Sequence, residues 1–143
     1  MLDKLLGSPA ISMLERTLSF TERRHEILLE NIANASTPGY VQKDVSVKAF
    51  QRSLQEAVTR RQEMGGVEVA PQSSATVEFE PNSSRVALKP QPIGTVTPFH
   101  DGGARSPEVL MGQLLDNGQA HNLAAAFLKN RYETLRQAIS MKV

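Results

Sequence analysis

Residues 31–40, with the sequence NIANASTPGY, divide the chain, because a long helical pattern ends there and an irregular stretch begins. Pro fits the second position of a β-turn and Gly the third, where φ is positive, so Thr37-Pro38-Gly39-Tyr40 predicts a turn. Pro38 also disfavours a helical conformation at the residue before it, which ends the helix. Two asparagines precede the turn, and Asn side chains can bond nearby backbone. A simple helix end would need only one Asn or Gly. The additional residues therefore favour a loop docked on a specific surface.

Before this stretch, apolar residues recur every three or four positions and predict an amphipathic helix over about residues 9–35. Ser8 fits the N-cap, and Pro9 fits the first helical position. The repeating row consists of Ile11, Leu14, Leu18, Thr21, His25, Leu28, Ile32 and Ala35, flanked by Met13, Phe20 and Ile27. The predicted polar face carries Glu15, Arg16, Glu22, Arg23, Glu26 and Glu30. About 27 residues give a helix of about 40 Å, more than twice the ordinary length.

A second pattern predicts a long helix over about residues 107–141. Ser106 fits its N-cap, and Glu108 suits the positive end of the helix. Its row consists of Leu110, Leu114, Asn117, His121, Ala124, Leu128, Arg131, Leu135 and Ala138. Gly112 and Gly118 each cost about 1 kcal/mol in a helix interior, which weakens the pattern in its first half.

The middle of the chain is rich in proline. Six of the eight prolines fall between residues 71 and 107, and Pro lacks the backbone donor that a helix needs. Residues 48–63 predict a short helix that Gly65-Gly66 ends, and three short strands are predicted at 67–69, 76–80 and 85–89. The predicted fold is mainly α, with long N- and C-terminal helices, a short third helix and a middle segment of loops and short strands. The segments are 1–35, 36–64, 65–105 and 106–143, and the first and last form one helical domain.

Composition excludes several functional classes. The 143 residues contain no Cys, so a disulfide framework, a thiolate metal site and a Cys nucleophile are excluded. Sixteen Lys and Arg against fifteen Asp and Glu give a net charge of +1, which does not predict a nucleic-acid partner. The sequence contains no run of about 18 apolar residues, which a membrane-spanning helix would need. Residues 1–10 lack a secretory-signal pattern.

The sequence contains no catalytic constellation. His25-Glu26 begins like a zinc-binding helix motif but lacks the second His, so a polar residue at the helix seam is expected. His100-Asp101 could form an oriented base, but no nucleophile pattern accompanies it. Gly102-Gly103 lacks the Lys and the preceding strand of a phosphate-binding loop. We therefore predict a protein that is not an enzyme, with no catalytic residue, metal, cofactor or small-molecule substrate.

Residues 31–40 resemble the N-terminal signature of the flagellar axial proteins, the rod and hook family. In that family a long helix runs into an Asn-rich turn similar to Thr-Pro-Gly-Tyr. The short chain most resembles the proximal-rod members, because distal rod and hook proteins carry extra domains. Three features depart from the family pattern. Ser36 stands where an acidic residue is frequent, and His121-Asn122 stands where a Tyr-Gln pair is usual. Gly103-Ala104-Arg105-Ser106-Pro107 replaces the usual Asn-Val-Asp-like entry to the C-terminal helix.

The resemblance implies that the two terminal helices pack as an antiparallel coiled coil and that subunits stack helically into a tube. The helix-packing seam would consist of Ile11, Leu14, Leu18, Leu28, Ile32, Leu114, Leu128 and Leu135. The subunit-interface loop would consist of Asn31, Asn34, Thr37, Pro38, Gly39 and Tyr40. Head-to-tail contacts of this kind build filaments rather than closed dimers.

The resemblance also implies a function. The chain would be a structural subunit of the periplasmic rod of the flagellar basal body, serving torque transmission and subunit export. The flagellar type III apparatus would export it without a cleaved signal peptide. Its partners would be further copies of itself, other rod proteins, the membrane-ring and rod-adaptor complex at the rod base, and the export apparatus. The alternatives are another short rod protein or a helical adaptor in a finite complex. A cell-wall enzyme would need clustered acidic residues, which the sequence lacks.

Overall fold

A computed structural model of the chain describes residues 9–67, 69–93 and 105–141. Its elements are α1 (Pro9–Ala33), β1 (Lys43–Asp44), α2 (Val47–Glu63), β2 (Val77–Phe79), β3 (Val86–Leu88), β4 (Gln91–Pro92) and α3 (Pro107–Ser140). The described chain is therefore mainly helical, as predicted. α1 ends two residues before the predicted boundary, and its predicted cap, Ser8, lies outside the described residues.

The largest interface between elements joins α1 and α3. Hydrogen bonds join Thr21 to Asn117 and His121, and they join Glu15 to Tyr132. As the residue number on α1 decreases from 21 to 15, the number of the partner on α3 increases from 117 to 132. The two helices therefore run in opposite directions. A coiled coil also requires regular interlocking of side chains along the seam, and that geometry stays a prediction.

The ends of α2 and α3 follow the predicted signals. The Ser106 hydroxyl accepts a hydrogen bond from the amide of Val109 at 3.4 Å, with Pro107 in the first turn. α2 ends at Glu63, and Gly66, with φ of +94°, donates its amide to the carbonyl of Arg61 at 2.9 Å. The two glycine-containing turns of α3 remain helical, because packing against α1 offsets the weak local propensity.

Two of the three predicted strands are confirmed. β2 and β3 form an antiparallel hairpin in which Val77 lies opposite Leu88. Val67 and Val69 belong to no strand, so the prediction of a strand at 67–69 is wrong for these two residues. The sequence did not predict the pairing of β1 with β4, in which Lys43 lies opposite Pro92.

The main apolar cluster lies where α1, α2 and the β2–β3 hairpin meet. The rings of Phe20 and Phe50 stack with centroids 4.0 Å apart, and Phe79 stacks on Phe50 at 5.9 Å. The buried members are Phe20, Val45, Phe50, Val77, Phe79 and Val86. Phe20 therefore belongs to this cluster rather than only flanking the α1–α3 seam. The middle of the chain forms a packed layer on α1, and the proposed division into four segments stays a prediction.

Candidate functional site

The turn after α1 has the predicted geometry. The amide of Tyr40 donates to the carbonyl of Thr37 at 3.2 Å, and Gly39 has a φ of +76°. A Cβ atom on Gly39 would meet no atom within 4 Å, so the backbone conformation, not a close contact within the chain, favours Gly here. Residues 35–39 are exposed and form the tip of the loop.

Asn31 closes the base of this loop. Its side chain has 0% of its surface exposed. Its Oδ1 accepts hydrogen bonds from the Lys43 amide at 3.0 Å and the Tyr40 hydroxyl at 3.1 Å, and its Nδ2 donates to the Lys43 carbonyl at 2.6 Å. The bonds tie the last turn of α1 to β1. The prediction placed Asn31 in a subunit-interface loop, but its polar atoms bond within the chain, and its burial does not favour a direct contact with a neighbour.

The other predicted loop residues lie nearer the surface. Asn34 donates through Nδ2 to the Glu30 carbonyl at 2.9 Å and accepts from the Thr37 hydroxyl at 3.3 Å. Thr37 and Pro38 are exposed like Gly39, and Tyr40 is half-buried. These bonds hold the loop in one shape without covering its tip. A contact between the tip and another subunit stays a prediction.

All eight residues of the predicted helix-packing seam are at least partly buried. Ile11 is 4% exposed and Leu28 is 0% exposed. The half-buried members are Leu14, Leu18, Ile32, Leu114, Leu128 and Leu135. The individual pairs between the two helices stay predictions. On α3 the buried residues are Leu110, Asn117 and Ala124, which all belong to the row that the sequence indicated.

Polar side chains also join the two long helices. Asn117, which is 4% exposed, donates through Nδ2 to the Thr21 carbonyl at 2.8 Å. Nδ1 of His121 lies 2.9 Å from the Thr21 hydroxyl. His121, which differs from the pattern of the family that the sequence resembles, thus contacts α1 directly. His25, predicted as a polar residue at the helix seam, is exposed and lines a pocket with Asn117 and His121 of α3.

The described residues do not form a metal centre or a membrane span. Among them, no three side chains of His, Asp or Glu gather in a way that could hold a metal ion. No described helix is long and apolar enough to cross a bilayer. The candidate base at His100-Asp101 and the glycines at 102–103 lie outside the described residues.

A buried ionic cluster, which the sequence did not reveal, joins α1, β1 and the start of α3. Asp44 accepts hydrogen bonds from Arg24 at 3.0 and 3.1 Å and from Nη1 of Arg105 at 2.6 Å. Arg105 also donates to the side chain of Gln113 at 2.8 Å. The amide group of Gln42 bonds both the amide and the carbonyl of Arg105, at 2.9 and 3.1 Å. We call these five residues the Asp44 cluster.

The charges of the cluster set the ionisation of Asp44. Burial alone would raise the pKa of its carboxyl group. The hydrogen bonds from Arg24 and Arg105 and the charge of Arg24 outweigh that effect, so the pKa of Asp44 lies below its ordinary value. Asp44 is therefore a carboxylate that fixes the residue just before the N-cap of α3.

One face of α3 remains apolar and uncovered. Leu115, Leu123 and Phe127 are 67%, 58% and 53% exposed and are spaced by multiples of four, so they share a face. Between positions 109 and 128 the only Asp, Glu, Lys or Arg is Asp116. These three side chains lie away from the side of α3 that packs on α1, so the described part of the chain leaves them largely uncovered. We call Leu115, Leu123 and Phe127 the outer row of α3.

The sequence of the chain is similar to that of a known protein. No protein-family model matches the chain. Over 85 residues its sequence is 38% identical to the protein named "Flagellar basal body rod protein FlgB" of Salmonella typhimurium. The match covers 59% of this chain and 58% of that protein. The chain thus spans little more than half the length of this relative, and the likeness supports the flagellar relationship that residues 31–40 indicate.

Proposed function

We propose that the chain is a structural subunit of the proximal rod of the bacterial flagellum. It polymerises with copies of itself and with other rod proteins into the axial tube, which transmits torque and conducts exported subunits. The likeness to the Salmonella rod protein supports the class of assembly. The outer row of α3 is the observation that supports polymerisation, because its three large apolar side chains are more than half exposed and another subunit could cover them.

The geometry suits an open assembly. The inner side of α3 packs on α1, and the outer row faces the opposite direction, so one helix has two apolar sides with different partners. The exposed loop tip at residues 35–39 lies on a separate part of the chain. Two different surfaces that bind different faces of neighbours give head-to-tail contacts, which extend instead of closing.

The proposal includes a location and partners. The chain acts in the periplasmic part of the basal body, where its base meets the membrane-ring and rod-adaptor complex. It reaches that position through the flagellar type III export apparatus. Its role is structural, so it is not an enzyme and needs no cofactor.

Complementation in the source bacterium tests the proposal. A strain that lacks the gene receives the wild-type chain, Leu123→Glu, or the control Gln62→Glu, which adds the same charge to an exposed site on α2. Because Leu123 is already 58% exposed, Leu123→Glu should keep the fold and melting temperature of the wild type. We expect it to lose swimming and incorporation into basal bodies, while Gln62→Glu restores both. Full restoration by Leu123→Glu would contradict polymerisation through this face. A finite soluble complex in place of incorporation would favour the adaptor.

A further inference from the structure

Arg16 is a buried cation with little hydrogen bonding. The sequence predicts it on the polar face of α1, but it is only 7% exposed, so that prediction is wrong. Among the described residues its one hydrogen-bond acceptor is the carbonyl of Ser83, at 3.4 Å from Nη2. Its Nε is enclosed and has no hydrogen-bond partner within the described part of the chain. A guanidinium has five donors, so most of its capacity is unused.

Arg16 also has no counter-ion among the described residues. No carboxylate there lies within 4.0 Å of its nitrogens. The neighbouring Glu15 is engaged elsewhere, with one oxygen accepting from Ser84 and the other from Tyr132. Arg24, two turns further along α1 and similarly buried at 8%, has the carboxylate of Asp44. A buried charge without a partner costs free energy, which an incoming anion would recover.

A pocket lies beside Arg16. It has a volume of about 440 Å³ and is lined by Ser12, Arg16, Ala70, Asn82 and Ser83. Ser83, the residue that Arg16 reaches, forms part of this wall. Asn82 is exposed at the rim and has a φ of +58°, a conformation that is uncommon for residues other than Gly. The lining therefore combines one cation with hydroxyl and amide groups that can donate hydrogen bonds.

We propose that Arg16 binds a carboxylate, supplied by an acidic side chain of a neighbouring polypeptide. A single positive charge with neutral donors matches a monoanion such as a carboxylate better than a phosphate dianion. The planar guanidinium can donate two parallel hydrogen bonds to the two carboxylate oxygens. The identification of the neighbour as another rod subunit rests on the proposed function. The carboxylate site itself does not depend on that function.

Binding is tested first by NMR on the full chain, through the Nε–H signals of its arginines. Arg16→Lys identifies the signal of Arg16. The exposed Arg23 is the control on the same helix. Titration with acetate should move the Arg16 signal to saturation and leave Arg23 unchanged, whereas sodium chloride at matched ionic strength should not. No response, or an equal response to chloride, would overturn the site. Saturation by inorganic phosphate at lower concentration than acetate would overturn the carboxylate assignment.

The source of the carboxylate is tested by assembly. Complementation compares Arg16→Gln with Arg23→Gln. Because no described carboxylate of the chain pairs with Arg16, Arg16→Gln should keep or raise the melting temperature yet lower incorporation into basal bodies at least tenfold. Arg23→Gln should leave incorporation unchanged. Normal incorporation of Arg16→Gln would overturn the neighbouring polypeptide as the source.

A second variant covers the case in which Arg16→Gln does not fold. Arg16→Lys keeps the charge but loses the two parallel donors, so the proposal expects a wild-type melting temperature with reduced incorporation. Normal incorporation of a folded Arg16→Lys, or loss of fold in both variants, would assign Arg16 a role within the chain and overturn the proposal. Absence of the wild-type chain from basal bodies, with the acetate response intact, would contradict the proposed function and support the site.

Discussion

Asp44 and Arg105 lie 61 positions apart in the sequence, yet their side chains meet at 2.6 Å. Arg105 directly precedes Ser106, the N-cap of α3, and Asp44 also binds Arg24 of α1. One carboxylate therefore fixes where α3 begins relative to α1. This start position determines which residues of α3 face α1 and which form the outer row, so the Asp44 cluster connects folding to the proposed assembly surface.

Asp44→Asn should destabilise the fold. The substitution removes the negative charge and leaves Arg24, whose side chain is 10% exposed, without its ion-pair partner. Breaking a buried ion pair by removing one partner costs about 3–5 kcal/mol. Urea denaturation of the full chain measures the free energy of unfolding.

The matched control is Glu78→Gln, which breaks the pair with Lys89 whose side chains are 50% and 61% exposed. An exposed pair contributes at most about 1 kcal/mol. Equal losses for Asp44→Asn and Glu78→Gln would contradict the role assigned to the Asp44 cluster.

The lowered pKa of Asp44 predicts a pH dependence. A carboxyl group whose pKa is lower in the folded than in the unfolded state stabilises the fold above its unfolded pKa, about 3.9. That stabilisation is lost as the pH falls from about 3.9 through the lower folded pKa. The melting temperature of the wild type should therefore fall more steeply over this acid range than that of Asp44→Asn. Parallel curves for the two proteins would show that Asp44 does not contribute.

Asn31→Ala should loosen the base of the loop. It removes three hydrogen bonds and leaves the Lys43 amide and carbonyl without their partner, at a cost of about 2–4 kcal/mol in unfolding free energy. Hydrogen exchange should show the Lys43 amide losing protection. Asn34→Ala, the control in the same loop, should cost about 1 kcal/mol or less. Unchanged protection at Lys43 in Asn31→Ala would contradict the assigned network.

Gly39→Val should separate folding from assembly. With φ at +76° the larger residue is strained by about 1–2 kcal/mol, but its Cβ meets no other atom of the chain. The chain should still be exported, as measured by its amount in the culture medium, but should not enter basal bodies. Gly66→Val, at φ +94° and also without a close contact, is the matched control and should still assemble. Normal swimming with Gly39→Val would count against the loop tip as an interface.

Local signals account for the elements that the sequence predicts well. Pro38 and Gly39 determine the turn by their backbone preferences alone, and Ser106 marks the start of α3 by its capping side chain. The apolar row of α3 correctly indicates Leu110 and Asn117 as buried. Periodicity and capping depend on residues within a few positions of each other, so they can be recognised without the rest of the fold.

Long-range contacts account for what the sequence does not reveal. Arg16 and Arg23 occupy the same predicted polar face, but the packed middle segment covers Arg16 and leaves Arg23 exposed. Asp44 is also buried by long-range contacts, because its partners Arg24 and Arg105 are distant in the sequence. No residue next to Asp44 in the sequence indicates this cluster. Phe20, Phe50 and Phe79 come from three elements and meet only when those elements pack. Which face a middle segment covers is decided by tertiary structure and not by local periodicity.

The central claim is that this chain is a building block of the flagellar rod. Quantitative mass spectrometry of basal bodies purified from the source bacterium tests it most directly, with the hook protein as internal reference and a gene-deletion strain as control. We predict that the chain is present in a fixed ratio to the reference in washed basal bodies and that the deletion strain forms none. Complete basal bodies without the chain, in cells that contain it only elsewhere, would contradict the claim.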